Sequence, residues 1–317
     1  MRRIWAAVAA VFVLWPAAAV VAAHPRPQLQ LGLLGDPARF DLQTGQQSSS
    51  RLIIVGWSQG TSAGYFTGLF RSMLGQPMVG LSTGSEGDPE ALSPAAIARG
   101  RGDALLVALN QAVAAWPRQV FVRPLAEMNG HWNDYSAYNA NGSARDAGHS
   151  TAAFRKAFAR ISLVVHGAPG VNARLRALDL PPVAGTLTPT RNAVVVWNPQ
   201  GFGSPDLPGN SAAAYYPGDR YVDVVADDLY DIGGRAEWGA AERLYAAHPT
   251  KPFAFGEWGL WGIDDPAFVR RMAAFLRGHR RTILATYYSG RPGSIFDLQS
   301  KPKSLAAYRA LIAPLSR

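Results

Sequence analysis

Eight short apolar segments separated by amphipathic stretches limit most strongly how this 317-residue chain can fold. Their residues are mainly β-branched, aromatic or aliphatic, and each run ends on polar residues or glycine, as strands buried on both faces do. Strands that alternate with helices predict an α/β fold, and the count of eight favours a closed (β/α)8 TIM barrel over an open doubly wound sheet. The segments are Leu29–Leu34, Leu52–Trp57, Met78–Ser82, Val120–Leu125, Ala193–Trp197, Val222–Asp227, Phe253–Glu257 and Thr282–Tyr287.

The stretches between these segments carry apolar residues at helical spacing. Predicted helices cover Asp103–Trp116, Thr151–Val165, Pro266–Leu276 and Leu305–Leu311, and Ser150 or Thr151 is expected to cap the second of them. No G-x-G-x-x-G motif opens an early helix, so a dinucleotide-binding domain has no support. Because no linker of domain size interrupts the pattern, residues 24–317 are predicted to form a single catalytic domain.

The first 23 residues have the composition of a signal peptide. Arg2 and Arg3 form a positive start, residues 4–20 are apolar, and residues 21–23 (VAA) form a small-residue cleavage site. An uncleaved anchor is the alternative, since about 20 apolar residues can span a bilayer. In either case the rest of the chain is expected outside the cytoplasm. Once the signal is removed, it is expected to be a secreted or extracytoplasmic protein with no stable membrane insertion.

Charge and composition argue against several classes of partner and cofactor. Without residues 1–23 the net charge is +7, and its densest cluster, residues 270–281, is typical of a solvated helix face rather than of a nucleic-acid site. The absence of cysteine excludes disulfides, thiolate metal sites and a cysteine nucleophile. The six histidines show no paired ligand spacing, and Asp227 with Asp228 is too small a set for calcium, so no metal site is predicted.

Two predicted strands end on a glutamate that is flanked by tryptophan, glycine or asparagine. Glu127 follows the strand that begins at Val120, and Glu257 ends the strand that begins at Phe253. A carboxylate there is costly to bury unless it is paired or used, for example with Arg123. The carboxyl ends of barrel strands form the working face, so both glutamates are expected in one cleft. Such a pair suits glycoside hydrolysis by double displacement.

Three segments of the chain together carry a family resemblance. They are residues 123–132 (RPLAEMNGHW), residues 216–223 running into residues 227–230 (DDLY), and residues 251–259 (KPFAFGEWG). In this order they resemble the acid/base motif, the sixth strand and the seventh strand of glycoside hydrolase family 26, the β-mannanase family of retaining (β/α)8 glycosidases. The resemblance is much thinner before residue 120.

The resemblance implies a role for each matching residue. Glu127 would be the acid/base, Glu257 the nucleophile and Tyr230 the hydrogen-bond partner of the nucleophile. Trp132 and Trp197 would be sugar platforms. The full set of expected substrate-binding residues is Arg123, Asn129, His131, Trp132, Trp197, Trp258 and Tyr287. Neither a metal nor an organic cofactor is needed for this chemistry.

The chain departs from the family pattern at three places. Ala126 stands where the family usually has histidine, the third strand ends Leu81-Ser-Thr83 instead of in a tryptophan–glutamate pair, and Tyr287 and Tyr288 occupy a region that often offers tryptophan. These changes alter the walls of the subsite and leave the two glutamates in place. The resemblance implies a secreted, retaining endo-glycosidase acting on a β-linked polysaccharide. β-Mannan is the leading prediction for the substrate, with another β-glycan or a cell-envelope polysaccharide as the alternative.

Two further alternatives come from other classes. Residues 56–60 (GWSQG) fit the nucleophile elbow of serine esterases, with Ser58 as nucleophile and His248 or His279 as base. A non-catalytic barrel that only binds glycans is the second alternative. The sugar identity, the linkage, endo or exo action, the oligomeric state and any closure of the loop Asn133–His149 over substrate stay open.

Overall fold

The strands form a closed parallel barrel in the order of the sequence, with the eighth strand paired to the first. The computed structural model describes residues 28–60, 62–73, 75–84 and 89–316, so the predicted signal peptide lies outside the described residues. The predicted (β/α)8 barrel is confirmed. The strands are β1 Gln30–Leu34, β2 Ser50–Gly56, β3 Gln76–Ser82, β4 Val120–Pro124, β5 Ala193–Trp197, β6 Val224–Ile232, β7 Phe253–Trp261 and β8 Thr282–Tyr288.

One or two helices follow each strand, and several of them begin at a residue whose side chain caps the helix. Ser150 caps the fifth helix by accepting from the backbone N–H of Ala153, and Asp265 caps the ninth, which starts at Pro266. The helices are α1 Pro37–Thr44, α2 Ala63–Ser72, α3 Pro94–Ala98, α4 Asp103–Ala115, α5 Thr151–His166, α6 Val171–Arg176, α7 Ala212–Tyr215, α8 Trp238–Ala247, α9 Pro266–Gly278 and α10 Pro302–Leu311.

The core has two layers because successive strand residues point to opposite faces. Phe121, Val196, Ala254 and Leu284 belong to the small cluster that fills the barrel interior. The intervening residues join a larger cluster with the helices, as Phe253 and Phe255 do on either side of Ala254. For this reason the side of the strand that a residue occupies decides whether its side chain can reach the cleft.

Strands β6 and β7 extend four to five residues further than the sequence predicts. Both were expected to end at their acidic residues, Asp227 and Glu257. Instead the ladder continues from the pair Asp228 and Glu257 to the pair Ile232 and Trp261. The extra pairs satisfy backbone hydrogen bonds that a loop would leave to water. The two strands thus form a wall that rises beyond the carboxyl end of the barrel.

Candidate active site

Arg123 is the centre of the site, on the inward face of β4. Its guanidinium donates to Asn198 Oδ1 at 2.7 Å, to Glu257 Oε1 at 2.7 Å and to Asp228 Oδ2. Burial acts to lower the pKa of Arg123, but the charges of Asp228 and Glu257 outweigh burial and raise the pKa. The guanidinium therefore stays cationic and holds residues from β4, β5, β6 and β7 together.

Glu257 accepts a hydrogen bond on each carboxylate oxygen. Arg123 donates to Oε1, and the Tyr230 hydroxyl donates to Oε2 at 2.5 Å. Burial raises the pKa of Tyr230 and the charge of Glu257 raises it further, so the phenol keeps the proton that it donates. The Glu257 side chain is 13% exposed. Two donors on a carboxylate that still reaches the cleft stabilise its negative charge at the surface where a substrate would lie.

A β-bulge turns Glu257 toward the cleft. Asp227 pairs with Phe255 and Asp228 pairs with Glu257, which leaves Gly256 as an extra residue on β7. A side chain at Gly256 would collide with the Asn198 carboxamide, so the close approach requires glycine. Because of the bulge, Gly256 and Glu257 both face the barrel axis. A regular strand would have sent one of them to the helix layer.

Glu127 lies just beyond the end of β4 in a left-handed backbone conformation, with φ of 54°. Its N–H donates to Asn198 O at 2.7 Å. Its carboxylate accepts from Trp132 Nε1 and from Gln200 Nε2, both at 2.7 Å. Burial and the charge of Glu257 raise the pKa of Glu127, against the opposing effects of Trp132, Arg123 and Gln200. Glu127 is thus suited to hold a proton.

The glycine at position 130 allows Trp132 to approach the segment that carries Glu127. A Cβ atom at this position would overlap the indole ring of Trp132. Glycine lets that indole lie against the backbone, where its Nε1 reaches Glu127 Oε2. Trp132 nevertheless stays 48% exposed, so one part of the ring is open to the cleft.

Gln200, which sequence reasoning missed, reaches Glu127 from the loop after β5. Asn129 accepts from the Gln200 N–H and donates to the carbonyls of Gln200 and Phe202 at 2.8 and 2.9 Å. Asp227 accepts from the Gly201 N–H, and burial raises the pKa of Asp227 to about 8. An amide in a loop at the carboxyl end of a strand was the only available signal for Gln200.

Both glutamates line a cavity of about 550 Å³ at the carboxyl end of the barrel. A smaller cavity of about 210 Å³ borders the same two carboxylates together with Arg123, Ser82 and Tyr135. The two carboxylates therefore line both cavities, which we together call the groove. The larger cavity is lined by Glu127, Trp132, Gln200, Phe202, Asp228, Leu229, Tyr230, Ile232, Arg235, Glu237, Glu257, Trp261, Tyr288 and Phe296.

Three residues expected in the cleft lie in the core instead. Trp197 packs on Tyr216, Trp258 stacks on Tyr308, and Tyr287 stacks on Phe40 with fully buried rings. The prediction that these three residues bind substrate is wrong, because each ring lies on the outward face of its strand. In their place the neighbours Glu257 and Tyr288 line the larger cavity, and Asn198 bonds Arg123 in the barrel interior.

Of the four other residues expected to bind substrate, two line the cavities. Trp132 lines the larger cavity and Arg123 the smaller one. Asn129 is buried and bonds the loop after β5, so its amide holds the backbone and is not free for a ligand. The His131 ring is partly exposed, with Nδ1 at 3.1 Å from the Ser204 hydroxyl.

Among the described residues, a serine esterase, a metal site and a membrane-spanning helix have little support. His248 packs on Tyr216, and His279 bonds Glu242, so in the part of the chain with described coordinates neither histidine pairs with Ser58. Within the same residues, no cluster of three or more histidine or acidic side chains could hold a metal ion. None of the helices there combines the length and apolar character that crossing a membrane requires.

Solved structures with a similar fold include a GH26 β-mannanase from Bacteroides ovatus, at 14% identity and a TM-score of 0.58, covering 92% of this chain and 90% of that one. A Bacillus subtilis mannanase, BCman, shares 17% identity at a TM-score of 0.56 over 88% and 84% of the two chains. The chain has the fold of the family 26 β-mannanases. The resemblance predicted from the sequence is confirmed at this level. The GH26 endo-β-1,4-mannanase domain of Bacillus sp. JAMB-750 is similar too, at 13% identity and a TM-score of 0.54, over 91% and 86% of the two chains.

Sequence comparison adds one distant relative. Endoglucanase H of Acetivibrio thermocellus is 23% identical over 68% of this chain. The chain spans about a fifth of that relative, 22% of its length. No family model matches the sequence.

Proposed function

We propose that this protein is a retaining glycoside hydrolase that cleaves a β-linked polysaccharide by double displacement. One observation carries the proposal: two glutamates share a cavity but have different partners. Glu257 accepts from a cation and a phenol, whereas Glu127 is held by an indole and an amide with its pKa raised by burial. Environments that differ in this way separate a nucleophile from an acid.

In the first step the Glu257 carboxylate attacks the anomeric carbon. The glycosidic C–O bond breaks, and Glu127 gives its proton to the departing oxygen. In the second step the ionised Glu127 takes a proton from water. That water attacks the anomeric carbon, releases Glu257 and leaves Glu127 protonated again, so charge and protons balance over the cycle.

A β-mannan is the leading substrate, because the similar solved structures include mannanases. A β-glucan is the second candidate, since the distant relative is an endoglucanase and Ala126 replaces a histidine that mannanases of the family usually carry. The signal-like residues 1–23 support secretion.

The test is digestion of a panel of β-mannans, β-glucans and cell-envelope glycans, with product sizing and with the configuration of new reducing ends followed by NMR. Retention of configuration is expected. Glu257→Ala should lower kcat by several orders of magnitude, whereas Glu127→Ala should keep measurable activity on aryl glycosides, whose leaving groups need little protonation.

Glu242→Ala is the matched control, because Glu242 is a surface glutamate whose bond to His279 lies away from the cleft. Glycan retention without new reducing ends would mean a binding barrel. Hydrolysis of esters that is lost in Ser58→Ala would mean an esterase. Either result overturns the proposal.

A further inference from the structure

The wall formed by β6 and β7 ends in exposed apolar side chains. Ile232 and Trp261 are the last paired residues of the two strands and are 53% and 44% exposed. Gly262 N–H donates to Ile295 O at 2.9 Å, which brings the loop after β8 to the same place. Ile295 is 48% exposed. We call Ile232, Trp261 and Ile295 the apolar shelf.

Exposed apolar surface is concentrated around the groove. Of eight large hydrophobic side chains that are exposed among the described residues, five line the two cavities and Ile295 adjoins the larger one. Isolated exposed apolar residues are ordinary, but a contiguous group beside a cleft marks a binding surface. The five are Ile54, Trp132, Phe202, Ile232 and Trp261.

Trp261 is held in a fixed orientation. Its ring meets Tyr230 edge-on at 5.7 Å and Phe296 at 4.9 Å, with interplanar angles of 84° and 76°. Tyr230 in turn donates to Glu257. The indole is therefore braced by the same aromatic residues that line the larger cavity, so binding a ligand against it costs little side-chain entropy.

The position of the apolar shelf indicates which ligand binds there. Trp261 lies four residues beyond Glu257 on β7, and its indole contacts the ring of Tyr230, whose hydroxyl bonds Glu257. A sugar packed on the indole is therefore a different unit from the one that Glu257 attacks. Arg235 and Glu237 at the rim carry opposite charges, so the local surface selects no charged ligand. The surface therefore fits a flat, neutral ligand that extends out of the cavity. The part of the polysaccharide beyond the attacked unit has this chemistry.

We propose that the apolar shelf binds a neutral sugar unit of the substrate chain beyond the unit that Glu257 attacks. This inference rests on the proposed glycoside hydrolase function and deepens it, because a distal unit of this kind gives preference for the interior of long chains. The pyranose C–H face packs on the exposed Trp261 indole, and Ile232 and Ile295 exclude water from the edges.

The test compares kcat/KM for β-1,4-manno-oligosaccharides and cello-oligosaccharides of two to six units. For wild type, kcat/KM should rise with length. For Trp261→Ala it should fall about tenfold on the longest substrates, with a loss that shrinks as the chain shortens. Trp261→Phe should recover much of the loss. Tyr65→Ala is the matched control, an exposed aromatic residue outside both cavities.

The outcomes separate the two proposals. Hydrolysis with the same length profile in wild type and Trp261→Ala overturns the shelf while leaving the hydrolase proposal intact. If no oligosaccharide is cleaved, the hydrolase proposal fails, and affinity electrophoresis in soluble β-glucan and glucomannan gels still tests the shelf. Equal mobility of both proteins overturns it. A wild-type dimer that becomes a monomer in Trp261→Ala also overturns it, because a second copy would then cover the surface.

Discussion

The two sides of the site position their glutamates by different means. Glu257 belongs to a nine-residue strand whose ladder runs past it on both sides, and a buried guanidinium fixes its carboxylate. Glu127 stands beyond the last residue of a five-residue strand. Both Leu125 and Glu127 have positive φ there, at 50° and 54°, a conformation that costs of order 1–3 kcal/mol for each residue.

Hydrogen bonds to other loops offset the cost of the positive φ angles near Glu127. Asn198 O accepts from the Glu127 N–H, and Asn129 ties the Gln200 loop to the β4 segment. A strand position is rigid because of its ladder, whereas a loop position is only as rigid as its side-chain bonds. The comparison indicates that the position of Glu257 depends on buried charge and that of Glu127 on neutral hydrogen bonds.

The largest expected effect comes from Arg123→Met. This change leaves the carboxylates of Asp228 and Glu257 buried without their cation, which typically costs about 3–5 kcal/mol. We expect that loss in the free energy of unfolding, measured by urea denaturation, together with loss of activity. Arg277→Met should change the free energy of unfolding by less than about 0.5 kcal/mol, because Arg277 is exposed and donates to the Leu311 carbonyl at the surface. Equal losses in both variants would contradict the central role of Arg123.

A single methyl group placed on each side sharpens the comparison. In Gly256→Ala the new Cβ meets Asn198, and lies 2.9 Å from both Arg123 Nε and Asp228 Oδ1, all of them buried. We expect a loss of about 1–3 kcal/mol of stability and most of the activity. In Gly130→Ala only the half-exposed Trp132 ring has to move.

Gly130→Ala should therefore lower kcat with little change in the denaturation midpoint. Both variants are measured by urea denaturation and by kcat on one glycan. A Gly130→Ala protein that is destabilised as much as Gly256→Ala would show that the two sides are equally rigid.

The smallest expected effect is a change in pH dependence. Trp132 donates to Glu127 and stabilises its ionised form, so Trp132→Phe should raise the pKa of Glu127. The acid then keeps its proton to higher pH, and the basic limb of the pH profile of kcat/KM moves upward. A shift of about one pH unit is expected, from about 1.4 kcal/mol per unit. A basic limb that stays in place or moves down would rule out this role for Trp132.

Residue patterns in the chain predicted the barrel and the shared position of the two glutamates, because both follow from the apolar runs and the parallel strands that these runs indicate. Apolar runs mark buried strands wherever they occur, and parallel strands bring their carboxyl ends to one face. The runs alone could not show that β6 and β7 continue past Asp227 and Glu257. Polar residues ended each run, while the extra ladder depends on pairing between the two strands.

Three aromatic residues show a second feature that the residue patterns could not predict, which is the face of the strand that a side chain occupies. Trp197, Trp258 and Tyr287 match the residue types that bind sugars, yet a shift of one position along each strand separates core from cleft.

The amino-acid sequence alone determined the number of strands and the placement of two glutamates on or just beyond two of them. It did so because strands buried on both faces appear as continuous apolar runs that short segments reveal. Only the tertiary structure decided that Gly256 is a bulge, that Arg123 joins Asp228 to Glu257, and that Gln200 reaches Glu127. These contacts link residues dozens of positions apart, and their geometry exists only once the barrel has closed.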